Sequence, residues 1–130
     1  MAKAQSAIEF IILIAFMFFF FILLFSIIYE NTSEKNKDRK NLLVKEIALG
    51  VQDEINLALG SSEGYSRNFA VPEKVDNQEY TINITEGLVY VKTDDGKYSM
   101  ALPVANVTGN IQKGSNTIKK ENNEIKLNVN

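Results

Sequence analysis

The sequence predicts an α+β fold in which one long N-terminal helix packs on a small antiparallel β-sheet of about five strands. Three observations predict it: an uncharged apolar run over residues 10–29, an apolar repeat of helical spacing over residues 42–59, and alternating apolar and polar residues after Pro72. A helix and a sheet that are each apolar on one face bury those faces against each other. The chain has 130 residues and so holds about one such domain, on a prior of roughly 100 to 200 residues.

The first helical segment is the run from Phe10 to Tyr29, which has 20 residues and no charge and contains seven of the eight phenylalanines. At about 1.5 Å of rise per residue, this run extends roughly 30 Å as a helix, which is the thickness of the hydrocarbon core of a bilayer. A buried core helix is one alternative. A secretory signal sequence is another, but its apolar part is typically about 7 to 15 residues and ends in small residues at a cleavage site. The run therefore predicts a membrane-spanning helix.

The helix is predicted to continue beyond the membrane. Residues 30–41 are polar but contain neither Gly nor Pro, so nothing there stops a helix. Apolar residues then recur at three- and four-residue spacing and form one stripe: Val44, Ile47, Ala48, Val51, Ile55, Ala58 and Leu59. Three leucines lie off the stripe and predict a second, smaller contact surface: Leu42, Leu49 and Leu57. Gly60 is expected to end the helix because Gly accepts the left-handed conformation.

After Pro72 the period changes to two, which predicts short strands. The alternating apolar positions are Tyr80, Ile82 and Ile84; Val89 and Val91; Tyr98, Met100 and Leu102; and Ile118, Ile125, Leu127 and Val129. Tight turns are predicted at Glu86-Gly87, at Asp94-Asp95-Gly96 and within residues 121–124. A serine-rich stretch is predicted to be a loop, with Ser61, Ser62 and Ser66. One face of the sheet, with side chains such as Tyr80, Ile82 and Ile84, is expected to cover the helical stripe.

Charge and composition argue against several classes of function. The net charge is −2, from 14 basic and 16 acidic residues, and no basic cluster suits the phosphates of a nucleic acid. The chain has no Cys and no His, which removes the thiol nucleophile, the thiolate metal site and the commonest general base. Asp94 and Asp95 fit a turn before Gly96 better than a metal site. We therefore expect no enzyme, no cofactor and no metal.

The residues before the apolar run form a further pattern. Lys3 is basic, the small Ala4 and then Gln5 follow it, and Glu9 stands four residues after Gln5 at the edge of the apolar run. Taken alone, Glu9 is an acid at the membrane interface, where a charge is costly unless it pairs or reaches water. With the whole pattern over residues 3–28, the chain resembles the archaeal type IV pilin-like proteins, whose leader is called a class III signal peptide.

The resemblance implies how the chain is processed and what it assembles into. A prepilin peptidase in the membrane would cut between Ala4 and Gln5, and the new amino group of Gln5 would pair with Glu9 of a neighbouring copy. The mature helices would then replace lipid with each other in a filament, with an assembly ATPase and a platform protein as further partners. In such a filament, six phenylalanines would lie in the core: Phe10, Phe16, Phe18, Phe19, Phe20 and Phe21. The alternative interpretation is that these side chains face lipid.

The pattern and the resemblance together divide the chain into four parts. They are a leader (1–4), a membrane-spanning and filament-core helix (5–29), a polar and then amphipathic continuation (30–60), and a β-rich head (61–130). The implied function is a structural or accessory subunit of a surface filament used for adhesion or surface contact, with the head outside the cell. Three Asn-X-Ser/Thr sequons then become candidate N-glycosylation sites: Asn31, Asn83 and Asn106.

Two alternatives stay open. The flank after the apolar run carries four cations, so the positive-inside rule taken alone favours a cytoplasmic C-terminal part, although large C-terminal domains translocate regardless of such charges. These cations are Lys35, Lys37, Arg39 and Lys40.

The alternative function is a membrane-anchored extracellular binding domain that keeps its leader and never polymerises. An anchored enzyme is a third class, which the lack of His and Cys disfavours.

Overall fold

The structure is a computed structural model that describes residues 2–129, with side chains from residue 4 onward. Met1 of the predicted leader, the side chains of Ala2 and Lys3, and Asn130 of the predicted head lie outside it. The described residues form one helix and then seven strands: α1 (Ala2–Gly60), β1 (Ser66–Val71), β2 (Tyr80–Thr85), β3 (Leu88–Thr93), β4 (Ser99–Pro103), β5 (Val107–Gly109), β6 (Gly114–Glu121) and β7 (Glu124–Leu127). The α+β fold is confirmed, but the strands number seven rather than about five.

Two compact units make up the chain, Met1–Asp38 and Arg39–Asn130, and the division between them falls inside α1. The described part of the first unit is helical throughout. The second, here called the C-terminal unit, contains the amphipathic part of α1 and all seven strands. Residues 30–41 are helical, as their lack of Gly and Pro predicts.

The helix ends at Gly60 as predicted, but by a different mechanism. Gly60 does not adopt the left-handed conformation, which first appears at Gly64 with φ of 84°. The Ser61 hydroxyl instead donates a hydrogen bond of 2.6 Å to the Leu57 carbonyl. The ammonium of Lys120, a buried residue of β6, donates to the carbonyls of Leu59 at 2.7 Å and Ser61 at 2.8 Å. A cation at this end also interacts favourably with the helix dipole, so Lys120 supplies the cap.

The strands form two sheets. β2, β3 and β4 make an antiparallel meander, and the other sheet has the order β1-β6-β7-β5. In that sheet β1, β6 and β7 pair antiparallel, whereas β5 pairs parallel with β7. All three predicted hairpins form. Both residues of the turns Glu86-Gly87 and Asn122-Asn123 have positive φ, which matches the twist of a two-residue hairpin loop.

The strands that sequence analysis missed are β1 and β5. Phe69 and Val71 of β1 are partly or fully buried, but the position that alternates with them is the exposed Arg67, whose charge hides the period-two pattern. Ser66, predicted in a loop, is the first residue of this strand. β5 has only three residues and ends at Gly109, where an added Cβ would lie 1.9 Å from the Leu127 carbonyl oxygen. Only Gly permits this close pairing of β5 with β7.

The stripe of α1 is buried as predicted, but against two sheets rather than the single sheet expected. One cluster joins Val44, Ile47, Ala48, Val51, Ile55 and Ala58 of the helix to Tyr80, Val89, Val91, Ile118, Ile125 and Leu127 of the strands. Ile82 and Ile84 are half-buried and pack against the same cluster. This arrangement confirms that the helical stripe and the alternating strand positions cover each other.

Leu59 departs from the predicted stripe, because 49% of its surface is exposed. It is the residue before Gly60, and its side chain lies about 100° around the helix from the buried Ala58. Of the leucines predicted to lie off the stripe, Leu42 and Leu57 are exposed and Leu49 is half-buried. Val129, predicted to continue the last strand, lies outside β7.

We expect Ile55→Ala to destabilise the C-terminal unit strongly, because Ile55 is fully buried in the middle of the stripe. Truncating such a side chain costs about 2 to 5 kcal/mol, which corresponds to a fall in melting temperature of roughly 8 °C or more for a unit of this size. Thermal unfolding of the full chain in detergent micelles measures the shift. Asp53→Ala, on the exposed face of the same helix, is the control and should not lower the melting temperature. Equal, negligible shifts would contradict the packing of α1 on its own sheets.

Stability at high pH is expected to depend on Tyr80. Its hydroxyl donates to the Pro72 carbonyl, and burial, together with the charge of Glu73, raises the pKa of the phenol to about 12. Between pH 10 and 12 the unfolded chain loses this proton and the folded chain keeps it, so the free energy of unfolding falls by about 2 to 3 kcal/mol as the pH rises. Tyr80→Phe should remove this part of the pH dependence in denaturant titrations. Tyr90→Phe, at an exposed position of β3, should retain it.

Candidate functional site

The apolar segment of α1 is exposed on all sides. Apart from the half-buried Ile14, each large apolar side chain from Ile8 to Tyr29 keeps between 46% and 78% of its surface accessible. The helix is long enough and apolar enough to cross a membrane, and none of its apolar window is buried within the protein. A core helix would be mostly buried, which argues against that alternative. The surface that needs covering is therefore the first candidate for function.

The phenylalanines predicted for a filament core surround the helix rather than lining one face. Successive residues of an α-helix are about 100° apart, so the run from Phe18 to Phe21 passes once around the axis. All six are exposed: Phe10, Phe16, Phe18, Phe19, Phe20 and Phe21. This aromatic band can contact surrounding molecules in several directions at once, as a lipid-embedded helix or a helix surrounded by copies does.

A depression lies on this surface. It has a volume of about 220 Å³ and is lined by Ile14, Met17, Phe18 and Phe21. These residues stand at positions i, i+3, i+4 and i+7, the arrangement that surrounds the knob side chain of a second helix in knobs-into-holes packing. The depression is therefore a place where another helix can pack.

Gln5 and Glu9 are four residues apart and lie on one side of the helix. Both are exposed, and within the described side chains, residues 4–129, no cation lies within 4 Å of the Glu9 carboxylate. The Ala4–Gln5 peptide lies near the start of α1, which begins at Ala2. Cleavage at this bond and pairing of Glu9 with Gln5 of another copy stay predictions.

The three sequon asparagines are all exposed. Asn31 lies on α1, Asn83 lies on β2 directly opposite Tyr90 of β3, and Asn106 lies between β4 and β5. A glycan needs an accessible side chain, and each of the three positions offers one. Their modification remains a prediction.

In the described part of the chain, the aspartates and serines that could have taken part in metal binding or catalysis belong to turns, a helix end and a strand. Thr93 and the Lys97 amide donate to the Asp95 carboxylate at 2.6 and 3.1 Å, and hydrogen bonds, first that from Thr93, lower the pKa of Asp95 to about 2. This bonding is typical of a turn. Within residues 2–129 no three acidic residues are close enough together to hold a metal ion. Ser61 is engaged by the helix end and Ser66 by β1.

A cavity in the described residues was not predicted. It lies in the C-terminal unit between α1 and β1, has a volume of about 560 Å³, and includes Ile47 and Gly50 of the helix and Phe69 of the strand in its lining. The sequence did not indicate this cavity because it did not indicate β1, in which the charged Arg67 interrupts the alternation of apolar residues.

No family model matches the chain, and no match was found among curated proteins or among solved structures.

Proposed function

We propose that this chain is a structural or accessory subunit of an archaeal type IV pilus-like surface filament, and that it polymerises through its hydrophobic N-terminal helix for adhesion or surface contact. The observation that carries the proposal is the exposure of the apolar segment on every side, although the C-terminal unit has its own complete core. An apolar helix of this length needs lipid around it before assembly and other helices afterwards.

The surface of the segment supports assembly with other helices. The depression around Met17 and Phe18 offers a hole for a side chain from a second helix. Phenylalanines on all sides allow one helix to contact several neighbours, which a helical filament requires. Dispersion contacts between such side chains replace those with lipid, since lipid tails are as apolar as the helix.

Glu9 supplies the specificity that apolar contacts lack. A carboxylate at the end of an apolar segment is costly to bury unless it is paired. Cleavage between Ala4 and Gln5 would create a new amino group near the same end of each copy. Pairing of Glu9 with the Gln5 amino group of a neighbour would then fix how far one helix is displaced along the next.

The proposal also sets the location and the partners. The precursor would lie in the cell membrane, and a prepilin peptidase would remove residues 1–4. An assembly ATPase and a platform protein would then build the filament, with the C-terminal unit outside the cell. Glycans at Asn31, Asn83 or Asn106 would be compatible with that location. On this proposal the chain acts by assembly and contact rather than by catalysis.

Processing is tested by the intact mass of the protein extracted from membranes. We expect the mass of a chain that begins at Gln5, because the small Ala4 leaves the scissile bond accessible just before the apolar run. A mass that includes residues 1–4 in all recovered material would contradict the proposal and favour a membrane-anchored domain that does not polymerise.

Assembly is tested by Glu9→Val. Removing one partner of a buried pair costs about 3 to 5 kcal/mol, so the yield of filaments should fall by about 100-fold or more. Membrane insertion and the melting temperature of the C-terminal unit should be unchanged. Glu34→Val, at an exposed position of the polar part of α1, is the matched control and should assemble normally. Normal filaments from Glu9→Val, seen by electron microscopy, would refute the pairing role.

A further inference from the structure

The cavity between α1 and β1 is a groove that runs along a free sheet edge. We propose that this groove binds an extended segment of another polypeptide, which adds a strand to β1 and places a basic side chain near Glu54. The proposal concerns the C-terminal unit alone and does not depend on filament assembly. Three observations support it: the backbone hydrogen bonding of β1, a glycine of α1 with empty space beside it, and the charges that line the groove.

The backbone of β1 has one unused edge. The Lys120 amide donates to the Tyr65 carbonyl, and bonding alternates along an antiparallel pair, so Arg67, Phe69 and Val71 direct their backbone groups to β6. The other three residues direct their amides and carbonyls away from the sheet: Ser66, Asn68 and Ala70. All three are exposed, and their backbone groups have no partner in the described part of the chain. At about 3.3 Å per residue this edge is roughly 13 Å long, enough for about five residues of an added strand.

The free edge of β4 provides a contrast. By the same alternation, it exposes Ser99, Ala101 and Pro103. Pro103 has no amide to offer, and the Gln52 side chain donates a hydrogen bond of 2.6 Å to its carbonyl. Proline and a covering side chain are common means of blocking an edge strand. β1 has neither along Ser66–Ala70, so its edge is open to pairing.

Gly50 leaves the wall of the groove open. It lies inside α1, where Gly costs about 1 kcal/mol relative to Ala, and it lines the groove beside Ile47. A Cβ added to Gly50 would meet nothing within 4 Å, so no neighbour in the described chain requires glycine there. The space that a side chain would fill is available to an incoming strand.

The groove is lined by three carboxylates and two cations, so its net charge is −1. The Glu54 Oε2 atom is buried without a hydrogen-bond partner, and the Arg67 Nε atom lies 3.6 Å away, too far for a hydrogen bond. Glu46 on the same wall is exposed and has no ion pair among the described side chains. The other charges are in ion pairs, Glu54 with Arg67 and Asp76 with Arg39 at 3.6 Å each, and Lys74 with Glu79 at 3.2 Å. A Lys or Arg on the added strand would supply the missing donor and balance the charge.

The test uses the full chain in lipid nanodiscs and three acetylated and amidated hexapeptides. The probe is Thr-Val-Lys-Val-Thr-Val, the charge control replaces its Lys with Glu, and the strand control replaces its fourth residue with Pro. At about 5 mM of the Lys peptide, amide hydrogen exchange at Ser66, Asn68 and Ala70 should slow at least tenfold. The Glu peptide should bind about fivefold or more weaker, and the Pro peptide should give no protection, because it cannot complete the ladder.

Matched variants separate binding from folding. Gly50→Leu should reduce affinity for the Lys peptide at least about tenfold while the melting temperature stays the same or rises, because Leu favours helix. Gly60→Ala, at a glycine that is equally open but outside the groove, should bind normally. Glu54→Gln should remove the preference for Lys over Glu.

Three results would overturn the proposal. Absence of protection with all three peptides would show that the edge does not recruit a strand. Equal protection by the Lys and Glu peptides would show that no basic side chain is recognised. Protection of the same amides that rises with protein concentration in the absence of peptide would assign the groove to a second copy of the chain.

Discussion

Burial of the α1 stripe against two separate sheets is the interaction on which the C-terminal unit depends. Val51 and Ile55 belong to the same buried cluster as Val89 of β3 and Ile118 of β6. Among the described residues no ladder of hydrogen bonds joins the sheet of β3 to the sheet of β6. Removing the helix would expose apolar faces of both sheets, and each buried Val or Ile contributes about 1.5 to 3 kcal/mol. The helix therefore links the two sheets, as a shared strand does in a continuous sheet.

Apolar packing is not directional, so polar contacts determine where the helix lies along the sheets. Near the start of the C-terminal unit, Lys40 donates to the Gln78 side chain at 3.2 Å. In the middle, Gln52 bonds to β4, and at the end Lys120 binds the last carbonyls of the helix. Contacts at both ends and between them leave one register for the stripe.

Periodicity predicted most of this fold because it reports which side chains are buried. Period 3.6 identified the stripe, and period two together with the hairpin turns identified β2, β3, β4, β6 and β7. The same logic failed at β1, because the position that alternates with Phe69 and Val71 is the exposed Arg67, which pairs with Glu54 on another element. It failed at Leu59, which has the spacing of the stripe but is exposed beside the buried Ala58. The apolar segment of the candidate site was evident from composition, whereas the groove required knowledge of which strand edge is left unpaired.

The capping of α1 by Lys120 joins a helix that is synthesised before the strands to one of the last of those strands. The ammonium group and the Leu59 carbonyl are separated by 61 residues along the chain. Contacts of such separation form only after the intervening loop has closed, which makes them slow steps in folding. During synthesis the helix emerges first, yet its final turn lacks its donor until the strand that carries Lys120 has been made and β6 has paired. The last turn of α1 is thus made before the strands but capped only after β6 is in place.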